Sequence, residues 1–290
     1  MKKLKPPLTI EQQIKLLSND YSLIIDDYGQ AYNFLNRVSY YRFINAYSLN
    51  LKTKNKYNEG ISFSYLVRLY DFNTEIRQLL YPIIEDIEIA FRAAVVNTFS
   101  TKYGNVQYLD PINFDNEDYH VNLMAALETE LERNANNPSI RHYNNEYCGV
   151  FPLYVCIEVF SFGMLSKFYK NMLSEDRQAI AKMWGHNQKY ITSWMQCLVG
   201  IRNICAHYGR LYNFKLLDKP MLYREYDQYG NDRLFAAIIV LKYMTLDKSK
   251  WLRFITGLGA ILDKFNEIDL TCIGFPDNWE SILRKEPAAR

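Results

Sequence analysis

Glycine and proline are scarce, with 12 and 9 residues in a chain of 290. A β-sandwich needs tight turns at short intervals, so the shortage argues against one and favours helices. Cysteine is sparse too. Cys148, Cys156, Cys197, Cys205 and Cys272 are odd in number, lie far apart and include no Cys-x-x-Cys pair. Such spacing encodes neither a disulfide framework nor a zinc site, and most of the thiols read as core fillers. No sign of charge dominates: 34 Lys+Arg face 32 Asp+Glu, a formal net charge of +2. Bulk charge therefore does not recruit nucleic acid, and any such contact must come from a local patch. Long apolar runs are missing. The longest runs from Leu234 to Leu241 and ends at Lys242, whereas a membrane span needs about 20 residues. The N-terminal stretch Met1-Lys-Lys-Leu-Lys-Pro-Pro-Leu8 is basic, but no apolar region follows it, so it does not read as a secretory signal. These absences predict a cytoplasmic chain without a membrane partner. GxxxxGK[ST], GxGxxG and HExxH are also absent, which argues against a nucleotide hydrolase or metalloenzyme, and no cofactor or metal is expected.

Hydrophobic residues make up 49% and charged residues 23%, the balance of a folded globule. The length suits one large or two small domains. The predicted fold is all-α. Thr9-Ile-Glu-Gln12 is a capping box with Ile10, Ile14 and Leu17 behind it. Asp27 opens a second helix carrying Tyr32, Leu35 and Val38, and a third spans Tyr40 to Leu49. Lys52 to Gly60 reads as a polar loop. Two long helices follow, Ser64 to Leu80 and, from Pro82, a residue suited to a first helical turn, on to Phe99. Another runs from Asn116 to Asn136 and stops at Pro138; the apolar stretch from Pro152 to Met172 breaks at Gly163. Ser174 to Trp184, Gln188 to Ala206, Asp232 to Met244 and Lys250 to Asn266 complete the set, with a short turn at Phe275 to Trp279. The expected division is an N-terminal helical unit over 1–60 and a main helical domain over 61–290.

Aromatics are abundant: 24 Tyr, 16 Phe and 4 Trp. Most such tyrosines build cores and their rims, but some stack on unpaired bases in RNA-binding proteins. Tyr40-Tyr41-Arg42 is the densest cluster, which makes Tyr41 and Arg42 candidate ligand contacts.

The helix over Gln188 to Ala206 stands out. At about 100° per residue, Ile191, Trp194, Met195, Leu198, Ile201 and Cys205 fall in one arc about 120° wide, and Arg202 falls inside it. A guanidinium on an apolar stripe needs a fixed anionic or hydrogen-bonding partner. Glu88, bordering the Ile84/Ile87/Phe91 stripe, is a candidate mate. Asn203 and His207 are four apart and share another edge, while Arg202 and His207 lie about 140° apart on the wheel. One straight helix does not bring those two heads together; a frayed end after Ala206 or a second copy of the segment must do so. On spacing alone the ordinary reading is a salt-bridged Arg and a His that caps a helix C-terminus.

Arg202-Asn203-Ile204-Cys205-Ala206-His207 matches the Arg-x4-His motif of HEPN-domain ribonucleases. The longer string Ile201 to Asn213 resembles the signature of the Abi-type (AbiD/AbiF-like) abortive-infection proteins in that superfamily. Leu8 to Gln13, Ser39 to Phe43 with Tyr47, Ile87 to Arg92, Ser161 to Ser166 and Gly274 to Trp279 resemble further blocks in the same order.

The resemblance implies a HEPN-type helical bundle with additional N-terminal and C-terminal helices, and a homodimer that joins two motifs at one cleft. It implies a metal-independent endoribonuclease acting as a toxin in phage defence, restrained by a small structured RNA antitoxin. Arg202, Asn203 and His207 would be catalytic. Arg210, one turn beyond His207 if the helix continues, would bind flanking phosphate, and Tyr208 and Tyr212 would stack bases. Lys2, Lys3, Lys5 and the stretch Lys52 to Lys56 are candidate RNA contacts, against the plainer reading of solvated segments. The alternatives are a non-catalytic HEPN module that binds RNA or protein, and an aromatic-rich scaffold without a ligand.

Overall fold

The computed structural model describes residues 6–286, so Lys2, Lys3 and Lys5 lie outside the described residues. The chain is predominantly helical, as expected. The first helices are α1 (Ile10–Lys15), continued by a π turn over Leu16–Asp20, α2 (Tyr28–Arg37) and α3 (Tyr40–Tyr47). Thr9 forms the expected capping box with Gln12, and Asp27 and Ser39 cap the next two. On α2 the buried residues are Ala31, Phe34 and Leu35, so Tyr32 turns outward rather than into the core.

The stretch from Lys52 is not a plain loop. It is a small antiparallel hairpin, β1 (Lys52–Thr53) and β2 (Lys56–Tyr57). Lys54 and Asn55 at its tip both have positive φ, 49° and 67°, the backbone a two-residue hairpin turn requires. Lys52 Nζ lies 4.7 Å and 4.3 Å from the ring centroids of Tyr21 and Tyr57, whereas Lys54 and Lys56 are exposed.

The spine is α4, a single helix of 41 residues, Phe63–Tyr103, about 60 Å long at 1.5 Å per residue. Two helices meeting at Pro82 were expected. The helix instead runs through, because proline removes one main-chain hydrogen bond and sits here on an exposed face. Leu80, Ile83, Ile84 and Ile87 are buried on either side of it, and burial of each side chain is worth roughly 1.5–3 kcal/mol, more together than a proline in a helix costs.

The helices that follow are α5 (Glu117–Arg133), α6 (Pro138–Glu146), α7 (Leu153–Val159), α8 (Phe162–Asn171), α9 (Ser174–Ala181), α10 (Gln188–Ala206), α11 (Leu234–Met244), α12 (Lys248–Lys264) and α13 (Trp279–Arg284). Pro138 opens α6 rather than only ending α5, the first-turn use of proline. The break between α7 and α8 lies at Ser161, whose side chain caps Met164, and not at Gly163. Among α4's neighbours are α10, α12, α7, α9 and α3. Every residue of α11 is buried. Among the described residues, no helix is long and apolar enough to cross a membrane.

Candidate functional site

The site forms where the C-terminal end of α10 crosses the middle of α4. The apolar stripe on α10 is seated as its periodicity requires: Ile191, Trp194, Met195, Leu198, Ile201 and Cys205 are all buried. Arg202 shares that arc and finds the anion its position demands. Its Nε lies 3.6 Å from Glu88 Oε2, and its side chain keeps 28% exposure. Glu88 is itself buried. It also accepts from Arg92 one turn along α4, and Arg92 donates further to the Ile157 and Phe160 carbonyls. Arg202 Nη1 makes a second, long contact of 3.4 Å to Asn203 Oδ1. Neither contact of Arg202 involves His207.

The helix does not continue to Arg210. It ends at Ala206, and His207 is the exposed capping residue, its N–H bonded to the Asn203 carbonyl. Gly209 N–H then reaches back to the Ile204 carbonyl at 2.7 Å and Tyr208 N–H to Cys205 at 3.3 Å. This pair of bonds is a Schellman cap. The motif calls for a left-handed residue, ordinarily glycine, at the position occupied by Tyr208, and Tyr208 adopts φ 56° there. A bulky side chain in that region is strained by about 1–2 kcal/mol. The glycine stands one place later, where a Cβ would meet Ile204 Cγ2 at 3.0 Å.

Two buried polar side chains of α4 hold the turn from below. Asn73 Oδ1 accepts the N–H groups of Leu211 and Tyr212 at 2.8 and 3.0 Å. Its Nδ2 donates to Tyr47 Oη at 2.8 Å and to the Gly209 carbonyl at 3.3 Å. Arg77 donates to the same carbonyl at 2.9 Å and to Thr74 Oγ1 at 2.9 Å. Sequence reasoning missed both. The available signal was a polar pair at i and i+4 on a helical face otherwise filled by Phe72, Ile76 and Leu80.

Above the turn, Arg42 of α3 donates to the Tyr208 carbonyl at 3.0 Å, and its guanidinium lies 5.9 Å from the Tyr208 ring centroid. The structure thus joins Arg42 and Tyr208, two predicted RNA contacts 166 residues apart in sequence. Tyr41 is 79% exposed and Tyr208 68%, so both can offer a ring face. Tyr212 cannot: it is buried, with its ring 6.4 Å from Phe72. Burial also draws the Arg210 guanidinium below the usual arginine range, Tyr47 opposes the shift, and Arg233 adds to it. Arg210 is half-buried beyond the capped turn and does not follow His207 along a helix.

Beside the turn lies a cavity of about 540 Å³ lined by Tyr81, Gln78 and Tyr208 among others, and a smaller one of about 150 Å³ contains Glu88, Arg92 and Arg202. Among the described residues, no group of three His, Cys, Asp or Glu side chains is placed to hold a metal ion.

The sequence model of a family described as "Abi-like protein" matches residues 33–213. That range takes in α3, α4, α10 and the whole capped turn; the resembling blocks at Leu8 to Gln13 and Gly274 to Trp279 fall outside it. No curated protein and no solved structure matches the chain.

Proposed function

The chain belongs to the family of Abi-like proteins, and from that premise we propose that it is an endoribonuclease of the HEPN superfamily, of the AbiD/AbiF kind. Family membership itself suggests a role in abortive infection, a form of phage defence. The observation that carries the nuclease reading is the state of the motif. Arg202 is fixed by Glu88 at the wall of a groove, and His207 is exposed on a turn braced from α3 and α4.

RNA carries its own nucleophile, the 2′-hydroxyl. Its oxygen attacks the adjacent phosphorus, the bond to the 5′-oxygen breaks, and the products are a 2′,3′-cyclic phosphate and a 5′-hydroxyl. Catalysis then needs a base for the 2′-proton, an acid for the departing oxygen and positive charge for the phosphorane. Imidazole titrates near neutral pH and suits both proton transfers. A guanidinium suits phosphate through its planar fork. Because Arg202 turns to Glu88 and not to His207, a homodimer that brings two motifs to one cleft supplies what one chain does not. In that cleft one His207 takes the 2′-proton and the partner copy's imidazolium protonates the 5′-oxygen. Asn203, bonded to Arg202, orients that guanidinium.

As a toxin the enzyme requires restraint, and a small structured RNA is the partner we propose for it. The exposed Lys54 and Lys56 at the hairpin tip are candidate contacts for it.

The test is product chemistry. End-labelled RNA incubated with the protein in EDTA should yield 2′,3′-cyclic phosphate ends, and an RNA with a single 2′-deoxynucleotide at the cut site should stay whole there. Binding without cleavage would favour the non-catalytic module.

A further inference from the structure

One face of α4 stays uncovered beside the motif. Tyr70, Thr74, Gln78 and Tyr81 recur along it at helical spacing and line the cavity of about 540 Å³, which Ala206 and Tyr208 close from the other side. Small-molecule sites run from roughly 300 to 1,000 Å³. The same face continues past Tyr81 to Glu88 and Arg92, which line the smaller cavity together with Arg202 of α10, and Tyr81 lines both cavities. Tyr81 thus stands between the guanidinium proposed to hold the scissile phosphate and the left-handed Tyr208.

The chemistry of the larger cavity is specific. Tyr81 and Tyr208 leave ring surface open, at 38% and 68% exposure. Thr74 and Arg77 already have partners. The exposed Gln78 carboxamide makes no hydrogen bond among the described residues and offers both a donor and an acceptor. Pro82 lacks an N–H, so the main-chain carbonyl of Gln78 loses its i+4 donor on this same face. Aromatic faces with an adaptable amide and a spare carbonyl are the means by which proteins take an unstacked base. A dominant basic lining would instead suit phosphate alone.

We infer that this cavity is a nucleobase subsite: it receives one unpaired base of the RNA, on the nucleotide adjoining the phosphate at Arg202, against the Tyr81 and Tyr208 rings, with Gln78 at the base edge. The inference rests on the nuclease reading for its substrate but not for its test.

The full-length His207→Ala protein is titrated with eight-nucleotide single-stranded RNAs in which 2-aminopurine is moved one position at a time. Anisotropy, 2-aminopurine fluorescence, light scattering and circular dichroism are recorded. One position should be quenched. Adding Tyr81→Ala should abolish that quenching and weaken binding roughly 5- to 100-fold, Tyr81→Phe should restore both, and Gln78→Ala should alter base preference at that position only. Unchanged binding and quenching in folded Tyr81→Ala overturns the subsite. So does a fall in molecular mass with RNA affinity per protomer retained, which would assign the face to a second copy of the chain. If wild type cuts RNA while Tyr81 is dispensable, the subsite fails and the nuclease reading stands; Tyr81-dependent binding without cleavage gives the reverse.

Discussion

Glu88 holds two guanidiniums at once: Arg92, four residues along its own helix, and Arg202, 3.6 Å away across the helix crossing. The carboxylate is buried while Arg202 keeps part of its surface in water. The two ends of this contact should therefore respond differently to mutation. Arg202→Ala leaves Glu88 paired with Arg92 and should lower stability by no more than about 1 kcal/mol, yet abolish cleavage. Glu88→Ala takes the counter-charge from a largely buried Arg92, which keeps the Ile157 and Phe160 carbonyls, and should lower stability by about 2–4 kcal/mol. Urea midpoints of both variants check the contrast; equal losses would contradict it.

Asn73 satisfies four groups of the turn and of α3 with one carboxamide. Asn73→Ala leaves two buried main-chain N–H groups without acceptors, each worth about 1–3 kcal/mol. Amide exchange should show lost protection at Leu211 and Tyr212 first, ahead of α10 itself, with cleavage falling because His207 loses its platform. Retained protection at those two amides would place the support elsewhere.

Tyr208 occupies a left-handed position that glycine fills without strain. Tyr208→Gly should therefore raise stability by up to about 1 kcal/mol while weakening RNA binding, since the exposed ring beside Arg42 is gone. Thermal unfolding and anisotropy on the same sample read both effects. A Tyr208→Gly protein that is less stable would show that the ring contributes more through packing than the backbone strain takes away.

Lys242 is buried in α11 and donates to the Ile282 carbonyl at 2.8 Å and the Tyr226 hydroxyl at 3.3 Å. Burial pulls its ammonium down to about 8, Glu225 opposes the shift and Lys285 adds to it. An unfolded lysine titrates near 10.4. Between about 8 and 10.4 the unfolded chain therefore binds this proton more tightly, and this group alone makes stability rise with pH. Tyr40 and Tyr57, pushed up to about 12, and Cys156, pushed up to about 11, act in the opposite sense: each favours the fold below its unfolded value and loses that contribution as pH rises. Comparison with Lys242→Met isolates the lysine. The variant's stability relative to wild type should be greatest near pH 7 and decline toward pH 10. A pH-independent difference would contradict the burial effect.

Helix existence was legible in the sequence wherever apolar periodicity was long, and the stripe on α10 placed that helix over Gln188–Ala206, where it is found. The ion pair of Arg202 with Glu88 was legible for the same reason, since each charge borders a buried stripe. Pro82 misled because local propensity was set against the packing of a 41-residue helix, and packing won. The hairpin tip was hidden because Lys54 and Asn55 adopt left-handed backbone without a glycine to announce it. The joining of Arg42 to Tyr208, and the role of Asn73, depend on helix crossings between residues far apart in the chain, which no local pattern encodes. Tyr212 shows the converse: next to the motif in sequence, it is folded into the core.

If His207 moves protons in RNA cleavage, its loss should slow the chemical step and leave RNA binding intact. The measurement is the single-turnover cleavage rate of end-labelled RNA by His207→Ala, with folding confirmed by circular dichroism and the dimer by light scattering. The rate should fall by roughly 10²–10⁴-fold, with RNA affinity nearly unchanged. Cleavage by folded, dimeric His207→Ala at the wild-type rate would contradict that role.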